Sequence, residues 1–209
     1  MSDFDDVHPA QPTGPRALDL AGLKALAHPL RVQIIDALST YGASTASGLA
    51  ERLRESSGAT SYHLRQLEKH GFVREVEGKG TERERWWERV PGGIAVMVEQ
   101  IGDSPAARSA AELVTREFQR SRESALQDFI VNGYSTLSPE WMTAATVSSA
   151  NLRLTAEQLA ALVGELEGTF HAALERYRDL DEPGARPVQV HFNAFPVVDG
   201  TETATPQNP

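Results

Sequence analysis

The sequence predicts a mainly α fold with a small β component, and three features predict it. Four short stretches with helical apolar spacing follow one another between residues 18 and 71, each bounded by start and stop signals. Two alternating segments on either side of Gly78-Lys79-Gly80 read as a single hairpin. After Pro91-Gly92-Gly93, apolar residues recur at helical spacing over two long stretches, roughly 105–132 and 155–181.

Residues 1–16 (MSDFDDVHPAQPTGPR) are expected to be a disordered tail, because no apolar period appears among their Pro, Gly, Asp and Gln. Leu18, Leu20, Leu23, Ala25, Leu26 and Ala27 open a first helix that ends near His28-Pro29. Pro29 suits the first position of a second helix with Leu30, Ile34, Ala37 and Leu38 on one face, and Gly42 stops it. Ser44 or Thr45 can cap a third helix carrying Ala46, Leu49, Ala50 and Leu53.

The fourth helix lies in SGATSYHLRQLEKHGFV, residues 57–73. Thr60, Leu64 and Leu67 form its apolar spine, Ser56 or Ser57 caps it and Gly71 ends it. Gly58, Ser61, Tyr62, Arg65 and Lys69 fall on the opposite side or flank. FVREVEG and TERERWWERV then form the hairpin, with Lys79 at its tip. Parity on the second strand groups Trp86 with Val90, which assigns Trp86 to the helices and leaves Trp87 partly exposed or covering the domain junction. Beyond it, between and after the two long helices, TVSSANLRL and PVQVHFNAFPV alternate and are expected to pair as a small two-stranded element.

The formal net charge of -9 is unevenly placed. Residues 17–91 hold eleven Lys and Arg against ten Asp and Glu, whereas residues 92–209 hold eight against sixteen. The acidity thus lies outside the four-helix segment, and a local basic surface is permitted there. Cysteine is absent, which excludes disulfides, thiolate metal sites and cysteine nucleophiles. No signal pattern or bilayer-length apolar run is present, so a cytoplasmic protein without membrane contact is expected.

Three short helices, a fourth with an open polar front and a hairpin with a basic tip make a winged helix-turn-helix. In such modules the second helix of the pair enters the DNA major groove by its N-terminal residues. Small residues at Ser57 and Gly58 let the backbone approach closely, and the hydroxyls of Ser57 and Ser61 can bond to phosphate or base. Tyr62 and Arg65 are long enough to reach bases, and Arg matches the O6/N7 edge of guanine. Lys79, Arg83 and Arg85 on the wing are the candidate phosphate contacts.

Residues 24–90 resemble the ArsR/SmtB-type winged-helix transcriptional regulators. The resemblance rests on LKALAHPLRVQIIDAL, on SGATSYHLRQLEKHGFV and on a hairpin closed by ERWWERV. It implies a homodimer on a pseudo-palindromic operator, usually repressing, whose grip an effector loosens. The family's cysteine metal motif has no counterpart in GASTASGLAERL, so thiolate metal sensing is excluded and any effector is of another kind.

The expected organisation is therefore a tail (1–16), a DNA-binding domain (17–91), a helical dimerisation and effector region (92–198) and a final tail (199–209). In the third part Phe118, Phe129, Tyr134, Trp141, Phe170 and Tyr177 are either a dimer core, the preferred reading, or the lining of a small-molecule pocket. Glu167, His171 and Glu175 share one helix face; a solvated face is preferred there over an interfacial metal site. For His63 a packing or hydrogen-bonding role is preferred over DNA contact, and for His28 a turn position over a ligand role. No P-loop, dinucleotide turn or nucleophile triad is visible, so neither an enzyme nor a cofactor is expected. The partners expected are double-stranded DNA and a second copy. The alternative is a winged helix that has lost DNA binding and serves as a protein-interaction module.

Overall fold

The structure, a computed structural model, describes residues 16–81, 84–92, 94–95, 104–177, 180 and 182–203. The chain divides into two compact units, Met1–Pro139 and Glu140–Pro209. The first contains β1 (Arg16–Ala17), α1 (Leu20–Leu26), α2 (Pro29–Tyr41), β2 (Ser44–Thr45), α3 (Ala46–Leu53), α4 (Ser57–Lys69), β3 (Val73–Thr81), β4 (Glu84–Arg89), β5 (Ile94–Ala95) and α5 (Pro105–Thr136). At the boundary α6 (Pro139–Ala144) begins, and α7 (Ala156–Tyr177) lies in the second unit.

Short polar side chains begin the helices, because the first turn leaves N–H groups without intrahelical partners. Asp19 Oδ1 accepts from the Gly22 N–H at 2.7 Å in α1, and Thr45 Oγ1 accepts from Gly48 at 3.0 Å in α3. Ser56, rather than Ser57, caps α4 by accepting from the Ala59 N–H at 3.2 Å. His28 has the same role for α2: its Nδ1 accepts from the Leu30 N–H at 3.2 Å, just ahead of Pro29. Gly42 and Gly71 end α2 and the α4 turn with φ of 77° and 69°, a region open to glycine at no steric cost.

One core joins every helix of the first unit. Leu23 and Leu26 of α1, Ile34 and Ile35 of α2, Leu49 of α3, and Leu64 and Leu67 of α4 are almost fully enclosed. Phe72 and Val73 at the start of the hairpin and Trp87 of β4 complete it. Ala110, Ala111 and Val114 place the first half of α5 in the same core. Small residues at 107, 110 and 111 let that helix lie close against α1 and α2. At about 1.5–3 kcal/mol per enclosed large apolar side chain, this cluster is the dominant favourable term.

The sheet has the order β2-β4-β3, all antiparallel, with Ser44 opposite Trp87 and Val73 opposite Arg89. The two-residue β2 has no signature in the sequence; it exists because the chain passes β4 on its way into α3. A short parallel pair, β1 with β5, also escapes local pattern reading.

The expected assignment of the two tryptophans is reversed. Trp87 is buried in the core and Trp86 is half-buried on the other face. Val90 misled the parity argument: it lies beyond the last residue of β4, so its position does not report the strand's inner face.

In the second unit, α6 and α7 are followed by a segment that folds back, with Phe192 against Phe170 (6.4 Å between rings) and Arg186 over Trp141. The expected two-stranded element is not formed: 146–154 and 187–197 join no strand ladder among the described residues. Alternation specifies a surface with two unlike faces, but a ladder also requires a neighbouring strand, and the sequence pattern does not supply one. No described helix is long and apolar enough to cross a membrane.

Leu67 tests the seam between α4 and the core. Leu67→Ala should cost about 2–5 kcal/mol in urea unfolding, the range for a large-to-small change at a fully enclosed site.

Candidate nucleic-acid interface

The turn between α3 and α4 sets the direction in which α4 points. Arg54 ends α3 in the left-handed conformation (φ 57°), the sole non-glycine there among the described residues, and its N–H reaches the Ala50 and Glu51 carbonyls. Glu55 N–H also returns to Ala50 O at 2.9 Å, so the reversal is closed by backbone bonds alone. The chain then enters α4 through Ser56.

Along α4 two faces separate cleanly. Thr60, His63, Leu64 and Leu67 are buried, and Thr60 Oγ1 also bonds back to the Ser56 carbonyl at 3.0 Å. Ser57, Gly58, Tyr62 and Arg65 are exposed and Ser61 is half-buried. At Gly58 an added Cβ would meet nothing within 4 Å, so the front of the helix opens on free space. Arg65 takes part in no ion pair among the described residues. Five of the expected site residues therefore share the outer face of one helix.

The wing is less basic than its composition suggests. Arg85 pairs with Glu75 at 3.3 Å and Arg74 with Glu88 at 2.6 Å, each across the β3–β4 ladder. Arg89 is bound to Ser39 Oγ and the Gly92 carbonyl; burial lowers its pKa, against the opposing charge of Asp36, and its role is to fasten the base of the hairpin. Lys79 is exposed, with its ammonium 4.0 Å from the Trp86 ring centroid, a cation–π contact that steadies the tip. Gly80 makes that tip feasible: its φ is 101°, and a Cβ there would lie 2.1 Å from the Glu84 carbonyl oxygen. Arg83 lies outside the described residues.

Behind the outer face sits a cluster that was not expected as a site. The His28 and His63 rings lie 4.3 Å apart, tilted by 40°, and Tyr62 meets His63 edge-on at 5.1 Å. His63 Nδ1 and Arg31 Nε are buried and have no hydrogen-bond partner among the described residues. Burial lowers the His63 pKa, and His28 and Arg31 lower it further against a smaller opposing effect of Glu55. Burial likewise lowers the Arg31 pKa, with the Tyr62 hydroxyl opposing. One signal was available in the sequence: Arg31 has no acidic residue three or four positions away on its own helix.

The remaining candidates lie elsewhere. Glu167, His171 and Glu175 do not gather: no group of three potential metal ligands exists among the described residues, and the His171 ring bonds to the Glu167 carbonyl of its own helix. Of the aromatic set, Phe118 packs on the core of the first unit, whereas Tyr134 and Tyr177 are largely exposed.

This fold and this open helix front define a winged helix-turn-helix protein. Residues 26–76 match the family described as "Helix-turn-helix domain", the domain by which DNA-binding regulators hold their sites. Among solved structures, the reduced form of HlyU from Vibrio cholerae is 25% identical, over 46% of this chain and 84% of that one, with a TM-score of 0.31. The YusO protein from Bacillus subtilis is 15% identical over 71% and 79%, also at 0.31. The adhesin competence repressor of Streptococcus pyogenes is 15% identical over 70% and 81%, at 0.29. At TM-scores of this size the likeness carries no functional weight. No curated protein matches the chain.

The His63 environment sets a pH dependence. A lowered pKa in the folded state means that the unfolded chain takes up the proton first. The stability gained is present above the ordinary histidine range and is lost as pH falls through the folded pKa. The melting temperature should therefore fall between pH 7.5 and 5, and His63→Gln should make that fall shallower.

Proposed function

We propose that this protein is a sequence-specific, DNA-binding transcriptional regulator of the ArsR/SmtB type, acting as a homodimeric repressor. Residues 57–70 would enter the major groove, and residues 76–84 would rest on the backbone. The observation that carries this reading is the division of α4. A buried seam holds the helix in place, Ser57, Gly58, Tyr62 and Arg65 stand exposed with Ser61 half-buried beside them, and a Cβ added at Gly58 would meet nothing within 4 Å. A helix of this width fits the major groove, about 12 Å across. The match of residues 26–76 to the helix-turn-helix domain supports the same assignment.

Support for a dimer comes from apolar surface that one chain leaves uncovered. Leu126, Ile130 and Tyr134 recur every four residues along the second half of α5, and all three are exposed. In α7, Leu166, Leu174 and Tyr177 are exposed as well, and the helix has no buried residue. Contiguous apolar stripes of this kind mark association surfaces. The same region is the place for an effector, whose chemistry is not thiolate metal binding in a chain without cysteine.

Selection of bound fragments from random duplexes tests the reading directly. A regulator yields an enriched motif with two related half-sites, whereas a protein-interaction module yields none. Arg65→Ala should cost about 1–3 kcal/mol and relax one position of that motif, whereas Lys79→Ala should weaken all duplexes alike. Ile130→Glu places a charge in the proposed interface; it should shift sedimentation toward the monomer and weaken binding to a two-half-site duplex, with the first unit still folded by circular dichroism.

A further inference from the structure

We propose that Arg31 is a phosphate-binding residue, clamping the duplex backbone on the flank of α4; the inference rests on the DNA-binding reading. Arg31 stands half-buried in the first turn of α2, one turn after His28, whose ring lies 4.3 Å from that of His63, the residue next to Tyr62 on α4. The group has no carboxylate partner among the described residues, and its Nε is enclosed with nothing to donate to. His63 Nδ1, also enclosed and without a partner among the described residues, belongs to the same cluster, and the His28 ring lies 4.3 Å from that of His63.

Among the described residues no carboxylate forms an ion pair with Arg31, His28 or His63. Glu55 is the acid whose charge reaches His63, and its effect is outweighed by burial and by the neighbouring cations. A buried N–H donor is ordinarily paired, so the unpaired Arg31 Nε–H points to an acceptor supplied from outside. That acceptor is anionic, because a guanidinium prefers two-pronged bonding to phosphate or carboxylate oxygens.

Position selects the backbone over the bases. Tyr62 lies five residues beyond Ser57, about 7–8 Å along the helix axis at 1.5 Å per residue. When the front of α4 is inserted in a groove only slightly wider than the helix, a cation at the start of α2, which the His28–His63 contact sets at this level of α4, meets the groove wall, which is phosphate. Such a contact fixes the insertion of α4 without reading sequence. Arg31 differs in this from Arg65, which belongs to the outer face of the recognition helix itself.

The test uses the full chain and a duplex carrying its selected motif. Arg31→Gln should bind roughly tenfold more weakly at low salt, the loss of one charge-assisted bond. It should make the log–log salt slope shallower by about one and affect matched and unrelated duplexes equally. Its melting temperature should not fall, because no ion pair is broken. Arg31→Lys, which keeps the charge, should retain the slope while losing part of the affinity. Scanning the duplex with single methylphosphonates should find one phosphate per half-site whose neutralisation weakens the wild-type protein and leaves Arg31→Gln unaffected. An unaltered slope in Arg31→Gln, or no such phosphate, would overturn the inference while leaving the DNA reading intact. Failure of the wild-type chain to bind any duplex would overturn both.

Discussion

Everything at the candidate interface depends on the burial of one face of α4. Thr60, His63, Leu64 and Leu67 lie against α1, α2 and α3, and they fix both the rotation of the helix about its axis and its depth in the domain. A rotation of about 100° separates successive residues on a helix. Shifting the seam by one residue would therefore carry Tyr62 or Arg65 off the outer face. Ser57, Gly58 and Arg65 stand exposed outside that seam, and for that reason they are free to be chosen for contact with something else. The closed α3–α4 turn adds a second constraint, since it determines where along its axis the front of the helix emerges.

Those local features are also the ones that the sequence shows most clearly. Helical spacing located all four short helices, and the capping residues and terminal glycines bounded them. Their signals depend on neighbours within four positions, so no tertiary information is needed. The outer face of α4 was legible for the same reason. What was misplaced depends on contacts distant in sequence. Which tryptophan faces inward is decided by where the helices lie relative to β4, and Val90, just past the strand, suggested the wrong side. The ion pairs of Arg85 and Arg74 arise from cross-strand register, which alternation alone does not specify. The Arg31–His63–His28 cluster joins two helices about thirty residues apart in the chain, beyond the reach of any local pattern.

The second unit shows the limit of pattern reading most plainly. Its helix α7 is amphipathic, as the spacing of Leu162, Leu166, Phe170 and Leu174 indicates, yet none of its residues is buried. Alternation along 187–197 is equally clear, and Val188, Val190 and Val197 stand exposed. Amphipathicity indicates that a face is to be covered; it is silent on whether the cover comes from the same chain. On the proposed reading a second copy supplies it, and the unpaired alternating segments are then two further surfaces that such an assembly can engage.

Charge placement bears on how such a regulator would discriminate among duplexes. Two of the wing's arginines are neutralised by Glu75 and Glu88, Arg89 is committed to the hairpin base, and the C-terminal half carries an acidic excess. Among the described cations of the wing, Lys79 therefore remains for phosphate, and each phosphate neutralised contributes a salt-slope increment of about 0.9. An interface of this kind gains less from counterion release than a strongly basic one, so non-specific binding is correspondingly weak. Affinity must then come from close contacts at the front of α4, where Gly58 and the serines permit near approach and Arg65 offers paired donors. The acidity of the whole chain is thus compatible with DNA recognition: it suppresses the sequence-independent part of binding and leaves the helix front to decide the rest.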